Sequence, residues 1–121
     1  MIYELSQRFF FEAAHTLHRD IETVSSGRIH GHTYHAEMTV RGPIDRITGM
    51  LVDLGRIRVV IESIRVRLDH QVLDEVEGLG PATLENLCRF IMSIAAEQVS
   101  GICAVCVERA ASGDKCVLRS A

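Results

Sequence analysis

Three histidines carry the densest chemical signal in the chain. His30-Gly31-His32 sets two imidazoles two residues apart. In a strand, residues i and i+2 point to one face, so both rings can chelate one ion. His15 closes an earlier strand-like stretch and can supply a third nitrogen. Three neutral imidazoles with an open fourth position describe a catalytic zinc site. Zinc there lowers the pKa of a bound water or polarises a substrate oxygen. For a bare His-x-His, the plainer reading of surface or core histidines stands beside that one. His35 falls on the opposite strand face and His18 in a loop, so neither joins the candidate ligand set.

Asp69-His70 places a carboxylate next to an imidazole, which it can orient and make more basic. Solvated or capping residues give the same dipeptide. Glu108 ends an apolar stretch. It can accept two hydrogen bonds from the N–H edge of a guanine- or pterin-like ring, or be an exposed strand end paired with Arg109. Cys103 and Cys106 have a CxxC spacing, but i and i+3 in a strand face opposite sides, so they read as buried thiols and not as a metal pair. Cys88 and Cys116 read as structural. In a chain with no sign of secretion, all four are expected to be free thiols.

The elements that must position these groups follow from periodicity. Ile2–His15 and His32–Arg41 alternate as strands, the second with Thr33, His35, Glu37 and Thr39 on its wetter face. Thr16–Gly31 between them reads as a loop long enough to be functional or mobile. Gly42-Pro43 stops the second strand and 44–50 reads as a turn. Asp53 caps a helix whose apolar stripe is Ile57, Val60, Ile61, Ile64 and Leu68. After a polar connection over 69–81, Thr83 caps a second helix with Leu84, Leu87, Ile91, Ile94 and Ala95 as its stripe. Ile102–Glu108 and Lys115–Arg119 read as the last two strands. The order ββααββ predicts an α+β fold, an antiparallel sheet with two helices on one face. Its two open edges predict an oligomer.

The 121 residues form one expected domain, 1–121. Apolar residues make up 47% and charged residues 24%, which excludes collagen-like, low-complexity and wholly disordered chains. A formal net charge of −3, 5% aromatics and no tryptophan argue against nucleic acid as a partner. No apolar run reaches the length of a membrane span. Met1-Ile2-Tyr3-Glu4-Leu5 lacks a basic region and a signal-peptide core, so a cytoplasmic location is expected.

Five stretches together resemble the 6-pyruvoyl-tetrahydropterin synthase / 6-carboxytetrahydropterin synthase family. They are Phe11-Glu12-Ala13-Ala14-His15, the run from Gly27 to Tyr34, Gly49 to Leu54, Leu68-Asp69-His70, and Ala82 to Leu87. They occur in the family's order and spacing and cover nearly the whole chain. The resemblance implies the tunnelling fold, in which sheets from several subunits join into a β-barrel with helices outside, as a homohexamer built from two trimers. It implies Zn2+ on His15, His30 and His32, holding the side-chain hydroxyls of a small-molecule pterin substrate, 7,8-dihydroneopterin or its triphosphate. The ring would be anchored by a third-strand glutamate, with Thr83 and Glu85 nearby. Asp69 and His70 would relay protons across a subunit interface.

Two departures qualify that reading. The family's catalytic cysteine, four residues before His-x-His, is Ser26 here. A thiol titrates near 8.5 and can be tuned towards 7, whereas a serine hydroxyl needs a dedicated base. The family's Val-x-Glu-Thr motif corresponds to Cys106-Val107-Glu108-Arg109. Aligning Glu108 with the anchor lengthens the following hairpin by two residues; shifting by one puts Arg109 in the pocket instead. The implied function is a zinc-dependent lyase of the pyruvoyl or carboxytetrahydropterin type, the latter on the queuosine route. The alternatives are a side-chain-cleaving variant that makes 6-hydroxymethyl-dihydropterin, and a non-catalytic pterin- or purine-binding paralogue.

Overall fold

Alternation of the inward residues Phe9, Phe11, Ala13 and His15 with outward neighbours builds the first strand of the computed structural model, which describes residues 1–120. This strand, β1 (Tyr3–His15), pairs antiparallel with β2 (His30–Gly42). β2 pairs in turn with β3 (Ile102–Arg109), and β3 with β4 (Asp114–Arg119), giving the sheet order β1-β2-β3-β4. The expected antiparallel sheet with helices on one face is present.

The helices cover the face to which β2 sends Tyr34, Ala36, Met38 and Val40. On the outward face the cross-strand pairs are polar: Ser6 meets Thr39, and Arg8 meets Glu37. One long helix, Leu54–Leu68, buries the expected stripe of Ile57, Val60, Ile61, Ile64 and Leu68, and the Asp53 carboxylate caps it by accepting from the Gly55 N–H at 2.8 Å. The other, Leu84–Gln98, is capped by Thr83, whose hydroxyl accepts from the Asn86 N–H at 3.1 Å. The Asn86 amide turns back to the Pro81 carbonyl at 2.8 Å, which a glutamate in that capping position could not do. Leu87, Cys88, Phe90, Ile91 and Ala95 are its buried residues, while Leu84 and Ile94 only partly leave solvent.

Three expectations change. β2 starts at His30, two residues early, because His30 pairs with His15 and Gly31 with Ala14. The loop between β1 and β2 contains a short helix, α1 (Thr23–Gly27), so the two longer helices are α2 and α3. The connection over 69–81 is not a polar strap. Leu73 and Leu79 in it are fully buried, and a 3-10 turn spans Leu73–Glu75. Its polar residues are spent on the end of β1: the Ala14 N–H donates to the Gln71 carbonyl at 3.0 Å, and the Thr16 N–H donates to the Asp74 carboxylate at 2.8 Å. Among the described residues no helix is long and apolar enough to cross a membrane. All four cysteines are free thiols.

Gly101 closes the turn into β3 with φ of 85°, and a Cβ built there would lie 2.9 Å from the Arg41 carbonyl oxygen. That carbonyl cannot retreat, since the Arg41 N–H donates to the Gly101 carbonyl at 2.8 Å. Gly101→Ala is expected to destabilise the chain by more than about 1–2 kcal/mol, the cost of a left-handed L-residue alone. The urea midpoint measures it; an unchanged midpoint would contradict this account.

Candidate metal centre and pocket

The inward stripe of the sheet changes chemistry at one end. Phe11 and Ala13 are followed by His15 on β1, and Tyr34 is preceded by His32 and His30 on β2. Register makes His15 the cross-strand partner of His30. One ligand atom from each of the three rings can be chosen so that all lie within 4.8 Å of one another.

Two of the three rings are held from behind. His15 is 1% exposed, and its Nδ1 lies 3.0 Å from the Ala82 carbonyl oxygen just before α3. His30 Nδ1 lies 2.7 Å from the Arg28 carbonyl. A carbonyl can only accept, so both Nδ1 atoms carry the proton and both Nε2 atoms offer lone pairs. The Nε2 atoms of His15 and His32 face each other at 3.1 Å. Two ligand nitrogens on a tetrahedral zinc with bonds near 2.05 Å would stand about 3.3 Å apart. The donor set, the tautomers of His15 and His30 and the His15–His32 spacing fit a zinc-type cation.

Burial pushes His15 below the ordinary histidine value of 6.5, partly opposed by the Ala82 carbonyl. It pushes His32 down to about 4, helped by the Arg109 guanidinium and the two other histidines. Both rings are therefore neutral and ready for a metal at pH 7. The same shifts set an acid limit on the metal-free chain. As pH falls below 6.5, the unfolded chain takes protons that the folded chain refuses, so stability falls until His32 itself titrates near 4. The chelator-treated protein should melt at a lower temperature at pH 5 than at pH 7. His32→Gln should flatten that dependence. Equal melting temperatures at both pH values for the unsubstituted protein would refute it.

A hollow of about 400 Å³ opens in front of the histidines, with Ser25, Ser26 and Arg109 also on its walls. Ser26 is 4% exposed, and its hydroxyl donates to the Thr23 carbonyl at 3.3 Å, an ordinary back-bond within α1. A second hollow adjoins it across Leu17, Arg19, Arg109 and Asp114 and contains Thr83 and Glu85.

Two groups of candidate residues stand elsewhere. Asp69 and His70 follow α2 beside the edge of β1, and His70 lines a separate cleft that shares only His32 with the histidine hollow. His70 is paired to the Asp69 carboxylate through Nδ1 at 3.0 Å, has a positive φ of 57°, and leaves 77% of its side chain in solvent. Asp69 also accepts from the Glu12 N–H at 2.9 Å and from Arg65 at 3.2 Å. The Glu12 N–H above all, then His70 and Arg65, hold its carboxyl below the usual range despite some desolvation. Glu108 is the other case. Val105 and Val107 face the core, so Glu108 points to the outer face, where it lines a small hollow with His35 and Lys115. Within this chain it does not meet the histidines, Thr83 or Glu85. Arg109, one residue on, does.

Arg109, which the sequence places in the pocket only under a one-residue shift, and Tyr34, not among the sequence candidates, also border these hollows. The signal was the two-residue alternation itself: Tyr34 continues His30 and His32, and Arg109 continues Val105 and Val107.

A model of the family described as PTPS, 6-pyruvoyl tetrahydropterin synthase, matches residues 4–118. The 6-pyruvoyl tetrahydrobiopterin synthase of Drosophila melanogaster is 41% identical over 101 residues, covering 72% of this chain and 60% of that relative. The chain thus spans less than two-thirds of that relative's length. The dihydroneopterin monophosphate aldolase of Pyrococcus furiosus is 29% identical over 84 residues, covering 69% of this chain and 67% of the relative. The structure of Caenorhabditis elegans 6-pyruvoyl tetrahydropterin synthase superposes with a TM-score of 0.86 at 23% identity, over 100% of this chain and 97% of that one.

Proposed function

The chain belongs to the 6-pyruvoyl tetrahydropterin synthase family, and on that premise we propose that it is a zinc-dependent lyase acting on the C6 side chain of 7,8-dihydroneopterin or its triphosphate. The observation that carries this reading is the convergence of His15, His30 and His32, two of them with the far nitrogen tied to a carbonyl. Three ligands leave a position for substrate, as a catalytic site requires and a closed structural site does not. Bound zinc would act as a Lewis acid on oxygens of the substrate side chain.

The chain's own groups divide the remaining work. Asp69 fixes the ring of His70 through Nδ1, which leaves Nε2 free to take or return a side-chain proton. Because His70 lines a different cleft from His15 and His30, at the edge of β1, the pair would serve the site of a neighbouring copy. The edge of β4 and the N-terminal part of the edge of β1, which residues 69–74 leave uncovered, suit sheets from several copies joining into a barrel, as in a hexamer of two trimers. Ser26 borders the hollow but gives its proton to a carbonyl; it orients substrate or water and does not abstract. Thr83 and Glu85 border the adjoining hollow, where part of the ligand would rest.

A second reading has its own support: Ser26 in place of a thiol, and likeness to a relative that is a dihydroneopterin monophosphate aldolase. Here the bond between the first two side-chain carbons breaks. The second carbon's hydroxyl loses its proton and becomes an aldehyde, and the first carbon gains a proton, giving 6-hydroxymethyl-dihydropterin.

The test is to incubate zinc-loaded protein with 7,8-dihydroneopterin triphosphate, then with dihydroneopterin, and to identify products by mass spectrometry. A pyruvoyl or carboxy product supports the first reading and a hydroxymethyl product the second. Both substrates returned unchanged would leave a binding protein and overturn both.

A further inference from the structure

Arg109 is placed where a ligand would meet it. It ends the inward stripe of β3 and lies at the junction of the histidine hollow and the hollow containing Thr83 and Glu85. One arm of its guanidinium, Nη2, donates to the Asp114 carboxylate across the β3–β4 hairpin at 3.0 Å. Its Nε is buried and has no partner. The Tyr34 hydroxyl, on a side chain that is 0% exposed, lies beside that guanidinium but outside good hydrogen-bond geometry. Among the described residues these are the two buried side-chain polar atoms left unpaired, and both residues border the hollow with Thr83. Native proteins rarely leave such groups unsatisfied.

What they lack defines what they would hold. An arginine N–H can only donate, and a tyrosine hydroxyl beside it can accept from the guanidinium and still donate its own proton onward. The missing group is an acceptor, and a guanidinium favours a charged one through a charge-assisted bond. The N–H groups of a pterin ring gain nothing from Arg109, and its carbonyl oxygen and ring nitrogens are neutral acceptors, which a guanidinium favours less than an anion. Asp114 is a weak rival, since half of its side chain stands in solvent.

We propose that Arg109, with the Tyr34 hydroxyl, binds an anionic oxygen of the ligand, a carboxylate or a phosphate, so that the site selects acidic over neutral ligands. This rests on the reading of the histidine hollow as a substrate site. In terms of that reading, Arg109 selects the phosphorylated substrate. The plain alternative is that Arg109 only pins the hairpin through Asp114.

The experiment measures dissociation constants of zinc-loaded protein for 7,8-dihydroneopterin and its triphosphate, and melting-temperature shifts with inorganic phosphate and with acetate. The unsubstituted protein should prefer the triphosphate, and Arg109→Gln should cut that preference by about tenfold or more. Arg109→Lys, which keeps charge but loses the planar fork, should fall between. Asp114→Asn should strengthen anion binding by freeing the guanidinium, a gain that a loosened fold cannot mimic. Phosphate alone raising the melting temperature, dependent on Arg109, would name a phosphate; acetate alone, a carboxylate. If neither pterin binds but an anion stabilises the unsubstituted protein and not Arg109→Gln, the pterin reading fails and the Arg109 site stands. If pterins bind with the same preference after Arg109→Gln, or if both affinities drop equally, the proposal is overturned while the pterin reading survives. No response to any anion in the unsubstituted protein also overturns it.

Discussion

Replacing His30 with alanine is expected to strip the metal from the protein and reduce any metal-dependent activity to background. A four-ligand zinc site is worth about 10–16 kcal/mol in small domains, so one ligand is worth about a quarter of that, or a loss of roughly 10²–10³-fold in affinity. His30 is the ligand to replace. It lies at the start of β2, half-buried, and its Nδ1 partner is the nearby Arg28 carbonyl. His15 would give a less readable result. It is 1% exposed and supports the Ala82 carbonyl at the approach to α3, so removing it leaves a cavity and an orphaned acceptor. Loss of zinc in His15→Ala would then be confounded with loss of fold. Zinc content by mass spectrometry and competition against a chelator measure the effect, with circular dichroism as the control for folding. Equal zinc affinity in the His30→Ala and unsubstituted proteins would remove these histidines from the metal-binding account.

The helices were the most legible part of the chain, because their periodicity repeats over four turns and their caps are local. The stripe from Ile57 to Leu68 could be read residue by residue, and so could the Asp53 and Thr83 caps. Helix α1 was not legible: five residues have no room for a stripe, and its N-cap, Glu22, sits at a positive φ of 57° with no side-chain bond. The start of β2 was hidden by Gly31, which reads as a loop residue until His15 is known to lie opposite His30. That register is a long-range fact, and no local pattern contains it.

The third strand shows where motif and alternation select different residues. Matching a glutamate by type selects Glu108, whereas the two buried valines fix which residues share the histidines' face, and those are the odd-numbered ones. A one-residue slip exchanges every side chain between faces. The candidate zinc ligands escaped this ambiguity because His30 and His32 are on one face in any strand register. The anchor position did not: within this chain Arg109 shares the histidines' face, and Glu108 lines a hollow on the outer one.

His70→Ala should slow turnover by about 10²–10⁴-fold, the usual contribution of a positioned general acid or base, while leaving zinc content unchanged. The structure makes the second half of that statement strong. His70 is mostly in solvent, its imidazole is held by Asp69, and it is not one of the three clustered histidines, so its removal takes no ligand from the metal. Its distance from the chain's own hollow gives a sharper consequence. If the pair of Asp69 and His70 completes a neighbour's site, then His30→Ala and His70→Ala damage different halves of one composite site. Co-expressed in one assembly, the two variants should form some sites with intact histidines from one copy and an intact relay from the next. Activity should then exceed that of either variant alone, to about a quarter of the unsubstituted level for random mixing of two chains at a pairwise site. A mixed assembly no more active than its parts would mean that each chain uses its own His70 or none. A His70→Ala enzyme at full rate would leave proton transfer to another group altogether. Retention of zinc separates either result from collapse of the metal centre, because the ligands and the relay hang from different elements: β1 and β2 in one case, the end of α2 in the other.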